Sequence, residues 1–209
     1  PQSEYACTVP LAAGRAANVE DIGLETTKVE VDKGFVKVNG RMRTKEPHVY
    51  AIGDLVGGLL LAHTAGHEGI VAAHTIAGEK DVHEIDYVKQ PRATYCRPEI
   101  ASIGLTQQQC EEQGLPVKVG KVPFQAIAKA IIGGEHEGFA KVIAHRDSGD
   151  TLGVHVIGPH ATDLIAEACV ALQVEATTEE LFRTIHAHPT LSEAVAEAAH
   201  AASGHAIHV

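Results

Sequence analysis

Five short segments of β-forming residues follow one another closely in the second half of the chain. Each is bounded by residues typical of turns, and strands so close in sequence favour an antiparallel sheet. The segments are residues 92–95, 100–103, 117–124, 139–144 and 152–157. They constrain the fold more than any other feature of this sequence.

Helices are predicted between and after these strands. Thr106 and Gln109 have the spacing of a capping box, which predicts a short helix that stops at residues 114–116, Gly-Leu-Pro. Residues 161–172 form an Ala-rich amphipathic stretch. Its apolar face carries Leu164, Ile165, Ala168 and Leu172.

Two further capping boxes lie near the C-terminus. Thr177 with Glu180 and Thr190 with Glu193 each predict a helix start, and Pro189 marks the break between the two helices. Strands followed by helices are typical of an α+β domain.

The first part of the chain has a different pattern. A helix is predicted over residues 62–76, and a domain boundary near residue 87, because periodicity lapses and charge accumulates over residues 78–86. The strands predicted before that helix are residues 5–13, 35–38 and 48–52, the last closed by Gly53 and Asp54.

Charge and hydropathy limit the partners. There are 27 acidic and 17 basic residues, giving a formal net charge of −10, and no Lys or Arg run, which argues against nucleic acid or an anionic membrane. No stretch approaches the ~20 apolar residues of a membrane span, so we expect a soluble, cytoplasmic protein. Because the chain lacks an initiating methionine, we also expect it to be a segment of a longer polypeptide.

The cysteines do not form a recognisable pair or metal motif. Cys7, Cys96, Cys110 and Cys169 are widely separated and match neither a CxxC pair nor a zinc-ribbon spacing. We expect them to be reduced and structural.

A histidine and a carboxylate flank Pro189 at a spacing that suits proton transfer. A carboxylate at Glu193 that accepts from one ring nitrogen of His188 would fix its tautomer and leave the other nitrogen as a base. The alternative is structural, because Thr190 and Glu193 also suit a helix cap.

A metal site is a rival interpretation of the histidines. His63 and His67 have the i, i+4 spacing that zinc sites use, and His74 lies close to the same helix face. Glu68 follows the second histidine and not the first, and no nearby carboxylate or thiol completes four ligands, so we expect no metal.

Residues 185–194, IHAHPTLSEA, closely resemble the C-terminal active-site signature of the dihydrolipoamide dehydrogenase family of flavin-dependent pyridine nucleotide-disulphide oxidoreductases. Residues 44–54, TKEPHVYAIGD, resemble that family's second flavin-binding motif, and residues 60–63, LLAH, stand where the family contacts the flavin again. Residues 95–106, YCRPEIASIGLT, are similar to the opening of its interface domain, and residues 14–25 to the end of its nicotinamide-binding domain. Four motifs in the right order are far more specific than any one of them.

The resemblance implies a role for each candidate site residue. His188 would take a proton from a dihydrolipoamide thiol, Glu193 would orient it, and His186 would line the same pocket. Asp54 would hydrogen-bond the ribityl chain of FAD, and Gly14 would lie beside NAD. Backbone near the flavin ring would come from Leu60, Leu61, Ala62 and His63.

The resemblance also implies the architecture and the partners. Residues 1–15 would end the NAD-binding domain, residues 16–86 would be the second segment of the FAD-binding domain, and residues 87–209 would be the interface domain. The expected fold class is therefore α+β, with an antiparallel sheet and helices preceded by a remnant of α/β domains. A homodimer is implied, in which the base serves the flavin of the other subunit, and the lipoyl domain of the acyltransferase component of 2-oxo acid dehydrogenase complexes is the implied partner. The candidates for the two-fold interface are Leu164, Ile165, Val170 and Leu172, with intrachain core as the alternative.

Two motifs of the family are absent from this sequence. There is neither a GxGxxG for the ADP part of FAD nor the CxxxxC redox disulphide. Without the disulphide we expect the segment alone to be inactive. A stand-alone dimerisation module and a glutathione-reductase-like disulphide reductase remain as alternatives.

Overall fold

The computed structural model describes residues 12–208. These residues belong to two compact units, one ending at Ile85 and the other beginning at Asp86. The strand predicted over residues 5–13 lies outside the described residues, apart from Ala12 and Ala13, which have no regular secondary structure.

The first unit contains a small hairpin and one long helix. Strands β1 (Val31–Asp32) and β2 (Phe35–Val36) pair antiparallel around Lys33 and Gly34. Both turn residues have positive φ, 50° and 83°, as tight hairpins require. Short 3₁₀ helices span Leu24–Thr26 and Gly53–Val56. Helix α1 spans Ala62–Ile76, which confirms the predicted helix.

The predicted strand over residues 48–52 is wrong. Tyr50 makes only an isolated bridge to Arg43, and the backbone N–H of Ala51 donates to the Met42 carbonyl. His48 has φ 69°, in the left-handed region, which interrupts an extended strand. The segment therefore folds back on residues 42–44. Met42 packs with Val71 and Ala72 of α1 in the small core of this unit.

The second unit is built on a five-stranded antiparallel sheet, which confirms the predicted α+β fold. The order is β3-β4-β7-β6-β5, and every neighbouring pair is antiparallel. The strands are β3 (Arg92–Thr94), β4 (Glu99–Gly104), β5 (Val117–Pro123), β6 (Phe139–His145) and β7 (Thr151–Gly158). Each predicted strand in this unit is present, and no strand end is shifted by more than one residue.

Five α-helices accompany the sheet, together with 3₁₀ helices at Tyr87–Lys89 and Phe124–Ala126. Helix α4 packs on β4 and β7, and α6 packs on β5 and β6. The α-helices are α2 (Gln107–Glu112), α3 (Ala128–Gly133), α4 (Ala161–Gln173), α5 (Thr178–Arg183) and α6 (Glu193–Ala202). The capping boxes predicted at Thr106 and Thr177 are both formed. Helix α3 has no counterpart among the predictions.

The capping box predicted at Thr190 is wrong in one respect. Helix α6 begins at Glu193, and the cap position belongs to Ser192. The Thr190 hydroxyl donates instead to the carbonyl of Ala187. The Glu193 carboxylate does accept from the Thr190 N–H, so only the glutamate half of the box exists.

The apolar face of α4 divides between core and surface. Ile165 and Leu172 are buried in the core of the second unit, which supports the intrachain alternative for those two. Leu164 is partly buried against the same core. Val170 is 65% exposed, and it alone of the four interface candidates points to solvent.

Candidate active site

The connection between α5 and α6 brings His188 against Glu193. Nδ1 of His188 lies 2.8 Å from Oε1 of Glu193, and the second carboxylate oxygen accepts the Thr190 N–H at 2.7 Å. The peptide bond from His188 to Pro189 is cis. One carboxylate therefore holds both the histidine and the backbone of the loop that carries it.

The local environment keeps the Glu193 carboxyl ionised. Burial would raise its pKa, but the Thr190 N–H and His188 lower it, and the net pKa lies below the usual value. An ionised carboxylate accepts the hydrogen of His188 Nδ1. This sets the tautomer in which Nε2 carries the lone pair.

His188 is open to a reactant while its partner is sheltered. The His188 side chain is 71% exposed, and that of Glu193 is 25% exposed. A histidine oriented by a carboxylate and open at Nε2 has the arrangement of a general base.

His186 forms a second pair with a carboxylate, in a more buried position. Its Nε2 lies 2.7 Å from Oε1 of Glu167 on α4, and its Nδ1 lies 2.9 Å from the Thr184 carbonyl oxygen. The His186 side chain is only 9% exposed. Both ring nitrogens thus face acceptors, which differs from the arrangement at His188.

The two histidines line one cavity of about 230 Å³. Its wall also includes side chains of α6 and of the segment that follows it. The polar residues of the wall are Thr184, His186, His188, Glu193, Glu197, His200 and His208. The cavity therefore brings together the predicted base His188, its orienting residue Glu193 and the predicted pocket residue His186.

Glu197 ties the end of the described chain to this cavity. Its Oε1 accepts the backbone N–H groups of Ile207 and His208 at 2.6 and 2.5 Å. Burial would raise the pKa of the Glu197 carboxyl, but these two donors and His208 lower it below its usual value. The carboxylate is thus a fixed anchor for the tail.

His200 lies deeper in the same wall. Its ring stacks on Phe182, with centroids 4.6 Å apart, and its Nδ1 is buried without a hydrogen-bond partner among the described residues. Its role is packing in the described structure.

The expected flavin contacts lie in the first unit, where Asp54 and the start of α1 are close. Asp54 belongs to the 3₁₀ helix Gly53–Val56, which packs on α1. Its carboxylate is 54% exposed and lies 3.6 Å from the Arg15 guanidinium. Glu68 of α1 is 1% exposed and accepts the Gly53 N–H at 2.6 Å, which fixes the turn that carries Asp54.

The start of α1 suits an electron-rich ligand. Leu60 has φ 53°, and Leu61 occupies the cap position without a side-chain hydrogen bond to the helix. Ala62 and His63 open the first turn of α1, the end at which the helix dipole places partial positive charge. These features fit a flavin. The exposed Asp54 carboxylate suits the hydroxyl groups of the ribityl chain, and the start of α1 suits a ring that gains negative charge on reduction.

Gly14 and the histidines of α1 are the remaining residues that the sequence analysis singled out in the first unit. Gly14 has φ 142° with open space around it, which allows close approach of a ligand to its backbone. His67 Nδ1 contacts the carbonyl of its neighbour His63 at 3.0 Å. Among residues 12–208 no group of three or more His, Cys, Asp or Glu side chains is arranged to hold a metal ion.

Sequence reasoning missed three carboxylates of these sites. Glu197 lies one turn after Glu193 on the same helix, and that spacing is a usable signal. Glu68 and Glu167 lie within helices that are otherwise amphipathic, and only the tertiary fold brings them to Gly53 and His186.

No helix in the described part of the chain has the length and hydropathy of a membrane span.

Comparison with known proteins shows which family the sequence matches. Residues 90–199 match the model of the pyridine nucleotide-disulphide oxidoreductase dimerisation domain, and residues 2–69 match that of pyridine nucleotide-disulphide oxidoreductase. A dihydrolipoyl dehydrogenase of Bacillus subtilis is 52% identical over 198 residues, which cover 95% of this chain and 42% of that protein. One from Chlamydia muridarum is 49% identical over 192 residues, covering 91% of this chain and 41% of its own. The chain thus spans about two fifths of the length of these relatives.

Solved structures agree with the sequence matches. The crystal structure of LpdA from Mycobacterium tuberculosis superposes with a TM-score of 0.82 at 31% identity, over 88% of this chain and 40% of that one. The HOCl-induced flavoprotein disulphide reductase RclA from Escherichia coli shares the fold with a TM-score of 0.81 at 21% identity, over 90% of this chain and 43% of its own. The match to the dimerisation domain covers more than half of the sequence and includes the loop that carries His188. This chain is therefore a member of the pyridine nucleotide-disulphide oxidoreductase family.

Proposed function

We propose that this chain is the C-terminal part of an FAD-dependent dihydrolipoyl dehydrogenase, which oxidises dihydrolipoamide and reduces NAD⁺. The observation that carries the proposal is the contact of 2.8 Å between His188 Nδ1 and the Glu193 carboxylate, beside a cavity open to a reactant. The relatives at 52% and 49% identity carry the name of that activity.

The proposed chemistry of this chain is proton transfer. The thiol hydrogen of dihydrolipoamide moves to Nε2 of His188 and leaves a thiolate, while Glu193 stabilises the imidazolium that forms. The Thr190 N–H holds the second oxygen of Glu193, so the carboxylate does not rotate away when the charge of the ring changes.

FAD and NAD are the proposed cofactors. Bound FAD would carry the two electrons of dihydrolipoamide oxidation from the redox disulphide, which lies outside this sequence, to NAD⁺. Asp54 would accept hydrogen bonds from the ribityl hydroxyls, and the backbone of residues 60–63 would lie near the ring. Gly14 offers backbone beside the nicotinamide nucleotide.

The remaining partners follow from the same proposal. The protein acts as a cytoplasmic homodimer, in which His188 serves the flavin and disulphide of the other subunit. The lipoyl domain of a 2-oxo acid dehydrogenase complex delivers the substrate. Because this sequence holds no CxxxxC pair, the segment by itself turns over no dihydrolipoamide.

The test uses the full-length polypeptide that contains this sequence. We expect a flavin absorption band, and NADH formation from dihydrolipoamide and NAD⁺ that is lost in the 209-residue segment. A flavin-containing enzyme that reduces glutathione disulphide and leaves dihydrolipoamide untouched would overturn the proposal in favour of a glutathione-reductase-like enzyme. A colourless protein that only dimerises would overturn it in favour of a dimerisation module.

A further inference from the structure

Both ring nitrogens of His186 face hydrogen-bond acceptors, so neither nitrogen is available to take a proton from a substrate. Nδ1 faces the Thr184 carbonyl oxygen at 2.9 Å, and Nε2 faces the Glu167 carboxylate at 2.7 Å. A neutral imidazole donates from only one nitrogen, so both contacts are hydrogen bonds only when the ring carries both hydrogens. The two acceptors therefore select the imidazolium.

Burial makes this pairing strong. The side chains of His186 and Glu167 are 9% and 28% exposed, so water screens the pair only weakly. A buried cation needs a paired anion, and Glu167 supplies it. His186 lines the cavity whereas Glu167 does not, which turns the positive end of the ion pair toward the reactant.

The cavity needs such a charge. Its wall already contains the carboxylates of Glu193 and Glu197, and both have a pKa below the usual value. Negative charge in the wall disfavours a further anion. A second cation in the wall, in addition to the His188 imidazolium, would offset these carboxylates and lower the free energy of the thiolate.

We infer that Glu167 holds His186 as an imidazolium in the wall of the cavity, and that this fixed cation stabilises the thiolate formed when His188 takes a proton. Glu167 is then a positioning residue that acts through His186. The identity of the thiolate rests on the proposed function. The charge of the His186 ring rests on geometry alone. Apart from His186, the titratable groups that line the cavity are His188, Glu193, Glu197, His200 and His208.

The first arm of the test measures the ring directly in the full-length polypeptide that contains this chain. Long-range ¹H–¹⁵N NMR spectra, with His186 assigned through His186→Gln, should show both nitrogens of His186 protonated at neutral pH. In Glu167→Gln the amide nitrogen donates to Nε2, so the ring should become the neutral tautomer with a hydrogen on Nδ1. A neutral His186 in the unsubstituted chain would overturn the inference whatever the enzyme turns over.

The second arm measures dihydrolipoamide oxidation in the full-length enzyme. Glu167→Gln should lower kcat/KM about tenfold at neutral pH, which is the effect of one unit in the pKa of the substrate thiol. The loss should shrink as the pH rises through ionisation of the thiols in solution, because the thiolate then forms without help. An equal loss at every pH, or no loss, would overturn the inference and indicate a structural role or none.

Two further variants keep the result interpretable. Glu79→Gln is the matched control, because Glu79 pairs with His74 at the surface of the first unit, and it should leave the rate and its pH profile unchanged. If Glu167→Gln fails to fold, His186→Gln removes the same charge while its amide still donates to Glu167, and the same pH-dependent loss is expected. Failure of the unsubstituted enzyme to oxidise dihydrolipoamide would overturn the proposed function. The NMR arm is independent of that result, because it tests the charge of His186 without any substrate.

Discussion

Gly120 of β5 lies so close to Ala198 of α6 that a side chain cannot fit between them. A Cβ built on Gly120 would lie 1.9 Å from the Ala198 carbonyl oxygen and 2.3 Å from the Ala202 backbone nitrogen. This contact lets α6, which carries Glu193 and Glu197, pack directly on the sheet.

Gly120→Ala should therefore destabilise the second unit. The neighbouring atoms are backbone and can give way only if α6 shifts, so we expect a loss of about 1–3 kcal/mol in the free energy of unfolding. Urea denaturation followed by circular dichroism measures it.

Gly133→Ala is the matched control in the same unit. Gly133 lies in α3 with open space around its Cβ position, so alanine should be neutral or stabilising by up to about 1 kcal/mol. Equal stability of Gly120→Ala and Gly133→Ala would show that α6 does not depend on this close approach.

The second unit could be predicted well because its signals are local. The capping boxes at Thr106 and Thr177 use side chains only three residues apart, and each strand between them is a short run of β-forming residues bounded by turn residues. Such patterns need no knowledge of the rest of the fold.

The predictions failed where tertiary contacts decide the structure. Residues 48–52 have the composition of a strand, but His48 has a left-handed backbone. The segment adopts it because it turns back to hydrogen-bond with Met42, a contact that the local sequence does not indicate. Thr190 was expected to cap the last helix, but its hydroxyl donates to the Ala187 carbonyl oxygen and Ser192 takes the cap position. Glu167 lies 19 residues from His186, and nothing in the sequence between them signals the pair.

His188→Gln in the full-length enzyme should lower kcat/KM for dihydrolipoamide by more than about 10²-fold, because glutamine cannot take a proton from the thiol. Flavin content should be unchanged, since the substitution alters none of the residues proposed to hold FAD. Steady-state rates and the visible spectrum test both statements. Turnover near normal in this variant would show that another group is the base.

The thiols should differ sharply in reactivity. Cys96 is exposed, whereas burial raises the pKa of the Cys110 thiol, with Glu111 adding to the shift, and burial also raises the pKa of Cys169. In a Cys7→Ser background, a disulphide reagent at neutral pH should label Cys96 quickly and the other two only after unfolding. Mass spectrometry of the labelled peptides identifies each site, and rapid labelling of Cys110 in the folded chain would contradict the described packing.

The Glu197 anchor should give a defined pH dependence to stability. The folded-state pKa of its carboxyl lies below the ordinary value, so its contribution is fully present above the unfolded-state pKa and is lost as pH falls through the folded-state pKa. Glu197→Gln should therefore lower the free energy of unfolding at neutral pH, and the difference from the unsubstituted chain should shrink below about pH 4. Urea denaturation across pH 3–7 measures this, with Glu112→Gln on the exposed face of α2 as the control. A difference that stays constant down to the lowest pH would mean that the tail is held by shape alone and not by the charge of Glu197.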